Sequence, residues 1–226
     1  MDTMIKEAKI HEIQLKNKHY RLIIDEIIDF QPGQYLEVYL KDKFGHFIAP
    51  RPYTISSQSN KDFLELYIGI IKEGIYSTHL SKLKKGDLLF YKGPFGTSLL
   101  NRINSKNILF LAFDSGISTY RPLIHNLVKD KTNKIKLLYV NSHHDDMFYN
   151  EELRELETNN SNFAYFSLVT KEDSSRTATD VFMDIFNTIE DKSKWNYLIS
   201  GPRKAVIDFD SLLKENGIKN NMIICD

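Results

Sequence analysis

Asn107-Ile108-Leu109-Phe110-Leu111-Ala112-Phe113-Asp114-Ser115-Gly116-Ile117-Ser118-Thr119-Tyr120-Arg121 is the stretch whose reading decides the architecture. Its opening run, Asn107 to Ala112, is apolar without alternation after the first residue, as expected of a strand buried on both faces. A short turn then leads into a helical period over Tyr120 to Lys129. The same order recurs downstream. Lys134–Val140 precedes Asn150–Leu156, where Leu153 and Leu156 share a face. Phe163–Val169 precedes Thr179–Ile189, and Tyr197–Ser200 precedes Ala205–Glu215. Strand and helix alternating at this spacing predict right-handed crossovers and a doubly wound, mostly parallel α/β sheet covered on both sides.

Upstream the pattern differs. From Ile5 to about Lys92 the apolar residues fall in short runs with a period of two; Leu36, Val38 and Leu40 share one face, with Tyr35, Glu37, Tyr39 and Lys41 on the other. Gly33, Phe44-Gly45, Ser59-Asn60, Gly74 and Gly86-Asp87 punctuate the runs as turns. Many short strands with regular turns predict a small antiparallel β-barrel or sandwich. The domain boundary is therefore expected near residue 100, dividing the chain into 1–100 and 101–226 with no flexible linker, repeat or low-complexity segment.

Composition narrows the functional classes. The 226 residues carry 30 Lys and Arg against 30 Asp and Glu. The first hundred hold 14 basic and 12 acidic residues and the remainder 16 and 18, so no basic face advertises nucleic acid or anionic lipid. The opening residues are charged throughout, with no apolar core of a signal peptide, and no later run approaches the length of a membrane span. A cytoplasmic location is the expectation. The single cysteine, Cys225, excludes an intrachain disulfide and a four-cysteine iron–sulfur site supplied by this chain alone. Redox chemistry here would need an organic cofactor or a partner.

Three clusters in the first half carry chemistry. Arg51-Pro52-Tyr53-Thr54-Ile55-Ser56-Ser57 joins a cation, a ring and a hydroxyl on an extended segment, so that a flat ligand would stack on Tyr53 while Arg51 holds its phosphate. Gly74-Ile75-Tyr76-Ser77-Thr78-His79-Leu80 is a glycine turn entering a short helix, whose free N–H groups and Ser77 hydroxyl suit an anion. Gly93-Pro94-Phe95-Gly96 is a tight turn closing the barrel. Taken singly, each is ordinary strand or turn chemistry; the weight lies in their order and spacing.

In that order the chain resembles the ferredoxin–NADP reductase superfamily of FAD-binding oxidoreductases, over nearly its whole length. Phe30-Gln31-Pro32-Gly33-Gln34-Tyr35 is similar to the family's strand entry, Arg51-Pro52-Tyr53-Thr54 to its flavin signature, Gly74-x-x-Ser77 to its pyrophosphate turn, and Gly93-Pro94-Phe95-Gly96 to its barrel-closing turn. The resemblance implies FAD as cofactor. Arg51 and the turn Gly74, Ile75, Tyr76 and Ser77 would hold its pyrophosphate, with Pro52 and Ile70 in the same pocket. Tyr53 would pack on the isoalloxazine, and Thr54 would hydrogen-bond near N5. It further implies NADH or NADPH as co-substrate at Ser115, Gly116, Ile117, Gly201 and Pro202, with Thr54, Ser200 and Asp226 as the catalytic set.

The second half departs from the family pattern at informative positions. Where the resemblance expects Gly-Gly-Thr-Gly, the chain has Phe113-Asp114-Ser115-Gly116. Asp114 places a carboxylate near the dinucleotide pyrophosphate, and two like charges 4 Å apart repel by about 1 kcal/mol even in water, so nucleotide affinity is expected to fall. Ser142 stands where an arginine is usual, which favours NADH over NADPH; Arg176, in Ser174-Ser175-Arg176-Thr177, reads as a solvated loop residue. Ser200 replaces the family's cysteine before Gly201-Pro202. Asp226 falls at the family's acidic position, and the sequence stops before its aromatic residue.

No metal site is expected. Four consecutive residues, His143-His144-Asp145-Asp146, cannot all face one ion and read as a solvated loop. His11, His19, His46, His79 and His125 show no shared spacing, and no nucleophile elbow is present. The expectation is an NAD(P)H-dependent FAD oxidoreductase passing electrons to a ferredoxin- or flavodoxin-like carrier protein or to a small-molecule acceptor. Two alternatives stand beside it: a non-catalytic flavin-binding electron-transfer subunit with a degenerate nucleotide site, and a free flavin reductase using FMN or riboflavin as substrate.

Overall fold

The computed structural model describes residues 4–58, 62–71, 74–172 and 175–226, and the backbone alone at Ser77. The Ser59-Asn60 turn, Ser174 and the Ser77 hydroxyl expected at a pyrophosphate lie outside the described residues.

The first half contains β1 (Lys6–Lys16), β2 (His19–Ile24), β3 (Tyr35–Tyr39), β4 (Arg51–Thr54), β5 (Leu64–Gly69), the short helix α1 (Ile75–Leu80) and β6 (Leu88–Phe95). They form one sheet in the order β4-β3-β6-β1-β2-β5, every pair antiparallel. A bridge between Ile55 and Leu66 ties the two end strands, closing the sheet into a barrel. The alternation read from sequence is the inside and outside of that barrel: Leu36, Val38 and Leu40 are buried, whereas Tyr35, Glu37 and Tyr39 are half-buried.

The second half contains β7 (Asn107–Phe113), α2 (Ile117–Leu127), β8 (Lys134–Asn141), α3 (Asn150–Asn159), β9 (Phe163–Val169), α4 (Ala178–Asn187), β10 (Trp195–Ser200), α5 (Arg203–Glu215) and β11 (Ile223–Cys225). The five strands are parallel, in the order β11-β10-β7-β8-β9. Leu109, Leu111 and Phe113 point into one covering layer and Ile108, Phe110 and Ala112 into the other, which is why β7 reads as an unbroken apolar run. β11 was not anticipated, because three residues are too few to show a period. No helix among the described residues is long and apolar enough to cross a membrane.

Two features place the site. The chain winds outward from β7 through β8 to β9 and then returns to set β10 on the other side of β7. The carboxyl ends of β7 and β10 thus flank a topological switch point, the position where doubly wound sheets open a crevice. The barrel is packed against that end. Tyr67 of β5 belongs to the apolar core of the α/β half, its ring edge-on to Phe148 and Tyr149 at 5.5 and 5.4 Å. Its hydroxyl donates to the Asp146 carbonyl oxygen at 2.5 Å.

Candidate active site between the barrel and the parallel sheet

A cleft of about 520 Å³ opens where the two halves meet. Pro52, Tyr53 and Thr54 of β4 line one wall, together with Gly69, Ile70 and Ile71 at the end of β5. Asp114 and Ser115 after β7, Ser142 after β8, and Gly201 and Pro202 after β10 line the other. A recess of about 570 Å³ at the opposite end of the sheet, beside Lys134 and Trp195, contains none of the expected site residues.

The barrel wall suits a planar ring system with an anionic tail. Arg51 is exposed, its guanidinium 6.0 Å from the Tyr76 ring, and the Tyr76 hydroxyl donates to the Ala49 carbonyl at 2.5 Å, which fixes that ring. Tyr53 is half-buried; burial pushes its phenol up to about 12, so it stays neutral and offers a ring face rather than a charge. Ile71 and Ile75 leave apolar side chains exposed beside the cleft and at the start of α1. A cation, two rings, the Thr54 hydroxyl and exposed aliphatic surface form a donor set that fits FAD.

The facing wall is built from loops in close contact. A Cβ on Gly116 would lie 2.3 Å from the Ser200 carbonyl oxygen, and one on Gly201 (φ 144°) 2.6 Å from Phe113, so neither position accepts a side chain without displacing the other loop. Asp114 itself adopts a left-handed φ of 52°, the conformation that a glycine in this place would favour. Ser115 lines the cleft, whereas Ile117 is buried in the core beneath it. Ser200 is buried at the end of β10. Asp226 continues past β11, its carboxylate accepting from the Thr119 hydroxyl at 2.7 Å and its N–H donating to Ile199 O. Neither Ser200 nor Asp226 is among the side chains lining the cleft.

Sequence reasoning missed two polar clusters that span the halves. In the first, His19 of β2 is 3% exposed, with Nε2 3.4 Å from Asp114 Oδ1 and Nδ1 3.1 Å from Asp146 Oδ1. Asp146 is 1% exposed, so the solvated-loop reading fails for it while holding for His144 and Asp145; His143 is half-buried beside Glu172. In the second, Arg121 of α2 pairs with Glu152 of α3 and with Glu65, buried in β5, which also binds Arg21 and accepts from the Tyr149 hydroxyl. His125 contacts Glu152 at 2.5 Å. Burial alone would raise the Glu152 carboxyl, but the bonds from His125 and Arg121 hold it down at about 2. Arg176 is exposed and pairs with Asp184. Among the described residues no group of three His, Cys, Asp or Glu side chains is placed to hold a metal ion.

A flavin-type barrel joined through a shared cleft to a doubly wound nucleotide sheet defines a flavoprotein oxidoreductase architecture. Comparison with known proteins agrees: the oxidoreductase FAD-binding domain family matches residues 6–99 and the oxidoreductase NAD-binding domain family residues 110–209. The chain belongs to the ferredoxin–NADP reductase superfamily and carries its FAD-binding and NAD-binding domains. It is 29% identical over 170 residues to the phenol hydroxylase P5 protein of Acinetobacter pittii, covering 72% of this chain and 47% of that protein. It is 30% identical over 160 residues to NADH-cytochrome b5 reductase 2 of Aspergillus terreus, covering 67% and 50% respectively. The chain thus spans about half the length of these relatives. A ferredoxin NADP+ reductase from Neisseria gonorrhoeae, solved with FAD and NADP bound, shares the fold at a TM-score of 0.83, with 19% identity and 98% of each chain covered.

Proposed function

We propose that the chain is an NAD(P)H-dependent FAD oxidoreductase that hands electrons to a separate carrier, with residues 1–100 serving the flavin and 101–226 the nucleotide. One observation carries the reading. Tyr53 and Thr54 on the barrel wall and Ser115, Gly201 and Pro202 on the sheet wall face a single cleft, so ligands of the two halves would meet there. Bound FAD supplies the chemistry itself, taking two electrons with a hydride and releasing them singly.

The chain's own residues bind and orient. Tyr53 presents a neutral ring that keeps water from one flavin face, and the Thr54 hydroxyl on the same strand offers a hydrogen bond near the reacting edge. Arg51 supplies the charge for the pyrophosphate, and the turn at Gly74, Ile75 and Tyr76 supports it. Gly116 and Gly201 let the nucleotide approach the backbone, with Ser200 and Asp226 set behind them. Ser142, a cleft residue where the resemblance expects arginine, favours NADH. The names of the relatives, a phenol hydroxylase P5 protein and an NADH-cytochrome b5 reductase, support an electron-carrier protein as acceptor, of ferredoxin, flavodoxin or comparable type.

The decisive experiment is an anaerobic absorbance spectrum of the purified protein before and after NADH and, on a fresh sample, NADPH. A yellow protein bleached faster by NADH supports the reading and its donor. Bleaching by dithionite but by neither nucleotide would replace it with the non-catalytic electron-transfer subunit.

A further inference from the structure

Asp114 occupies the one place in the nucleotide turn where an acidic side chain is least suited to an anionic ligand, and the structure shows what stands behind it. His19 reaches across from the barrel, 3.4 Å from Asp114 Oδ1 on one side of its ring and 3.1 Å from Asp146 Oδ1 on the other. All three residues line the cleft. The imidazole is held flat against Tyr67, with centroids 5.0 Å apart and planes 20° from parallel. The Lys18 backbone N–H donates to Asp146 at 3.2 Å, which pins that carboxylate in turn. His19 Nδ1 and Asp146 Oδ2 are buried without a hydrogen-bond partner, so the 3.1 Å contact between imidazole and carboxylate is close but not an aligned hydrogen bond. A neutral imidazole would leave the buried Asp146 and the partly exposed Asp114 with no opposing charge between them, whereas an imidazolium offsets both.

We propose that His19 is the positioning residue for dinucleotide binding: its imidazolium, anchored on Asp146, cancels the charge of Asp114 and fixes it in the left-handed turn, so that the 114–116 loop accepts an anionic dinucleotide despite its carboxylate. This inference rests on the nucleotide-site reading above. It also revises the simple expectation that Asp114 repels the ligand, because the repulsion is screened from within the protein. The groups facing the imidazole are Asp114 from the loop after β7, Asp146 from the loop after β8 and the Tyr67 ring from β5, and the adjacent Lys18 also lines the cleft. Burial would drive a proton off His19, but the two carboxylates outweigh it and raise its pKa above the usual 6.5. Dinucleotide affinity should therefore be full below that raised value and fall as pH rises through it.

The test is calorimetric titration of NAD+ and NADP+ into the oxidised FAD-bound protein between pH 6 and 9, with the His19 imidazole followed by NMR. The wild type should lose affinity by at least about fivefold across the range. Asp114→Asn, partly exposed and tolerant of change, should bind as tightly as the wild type at low pH, show no such loss, and lower the His19 titration. His19→Asn should bind weakly at every pH, and adding Asp114→Asn should restore affinity. If His19→Asn does not fold, the Asp114→Asn profile and the His19 titration still decide. A wild-type profile unchanged by Asp114→Asn, or His19→Asn binding like the wild type, overturns the proposal while leaving the nucleotide site intact. Absence of binding by the wild type, Asp114→Asn and Asp114→Gly alike would overturn the nucleotide-site reading itself, and the proposal with it.

Discussion

Arg121 reaches out of α2 into the barrel and donates from Nη1 to the backbone carbonyl of Ser56 at 2.7 Å. The same guanidinium forks onto Glu152 through Nε and Nη2, at 2.8 to 3.1 Å, and lies 3.3 Å from Glu65. One side chain thus binds both halves and neutralises a carboxylate buried in β5. Arg121→Met should destabilise the protein by about 3 to 5 kcal/mol in chemical denaturation, because Glu65 is left with Arg21 as its remaining cation. A loss below about 1 kcal/mol would show that Arg21 and the Tyr149 hydroxyl suffice.

Glu152 makes the same network sensitive to acid. Its carboxyl is held at about 2 by His125 and Arg121 against the opposing effect of burial, below its ordinary 4.5. A depressed folded value means that the stabilisation is complete above pH 4.5 and is lost as pH falls toward 2. Glu152→Gln should be less stable than the wild type by about 2 to 3 kcal/mol at pH 7 and should close that gap on acidification. Parallel pH–stability curves for the two proteins would count against the argument.

Gly116→Ala tests the loop packing. With its Cβ 2.3 Å from the Ser200 carbonyl oxygen, the loops after β7 and β10 must separate, at a cost of about 1 to 3 kcal/mol. Reduction of the flavin by NADH should fall by an order of magnitude or more, while FAD content and its visible spectrum remain, since the barrel wall is untouched. Loss of FAD in parallel would mean that the two walls do not act separately.

Arg51→Ala should weaken FAD by roughly tenfold or more, the effect of one charge-assisted hydrogen bond, and weaken FMN much less. Equilibrium dialysis of the apoprotein with each flavin reads the difference. Equal affinities would move the pyrophosphate away from Arg51.

Much of this was legible in the chain. The run Ile108 to Ala112 announces a strand covered on both faces, and Leu36, Val38 and Leu40 announce the barrel wall, because burial geometry writes itself as period. Motif order singled out Thr54, Tyr53, Ser115 and Gly201, and these four line one cleft. His19 and Asp146 were not, since their partnership forms only when two separately patterned halves meet. Asp146 was further disguised by the exposed His144 and Asp145 beside it. The visible clue was Asp114, an acidic residue where the resemblance expects a glycine, which raises the question of what compensates it. Ser200 and Asp226 were expected at the reacting edge; Ser200 is buried, Asp226 is exposed with its carboxylate tied to Thr119, and neither lines the cleft.

Tyr67 has a further bearing on how such a molecule is inherited and taken apart. A barrel strand that supplies a ring to its neighbour's core makes the halves separable by ligand but not by folding: a chain cut near residue 100 would expose that ring in one fragment and leave a void in the other. The pair should melt in one calorimetric transition rather than two, and a recombination event that exchanges the barrel would have to bring a matching tyrosine, while one that exchanges the α/β half would have to bring a socket for it.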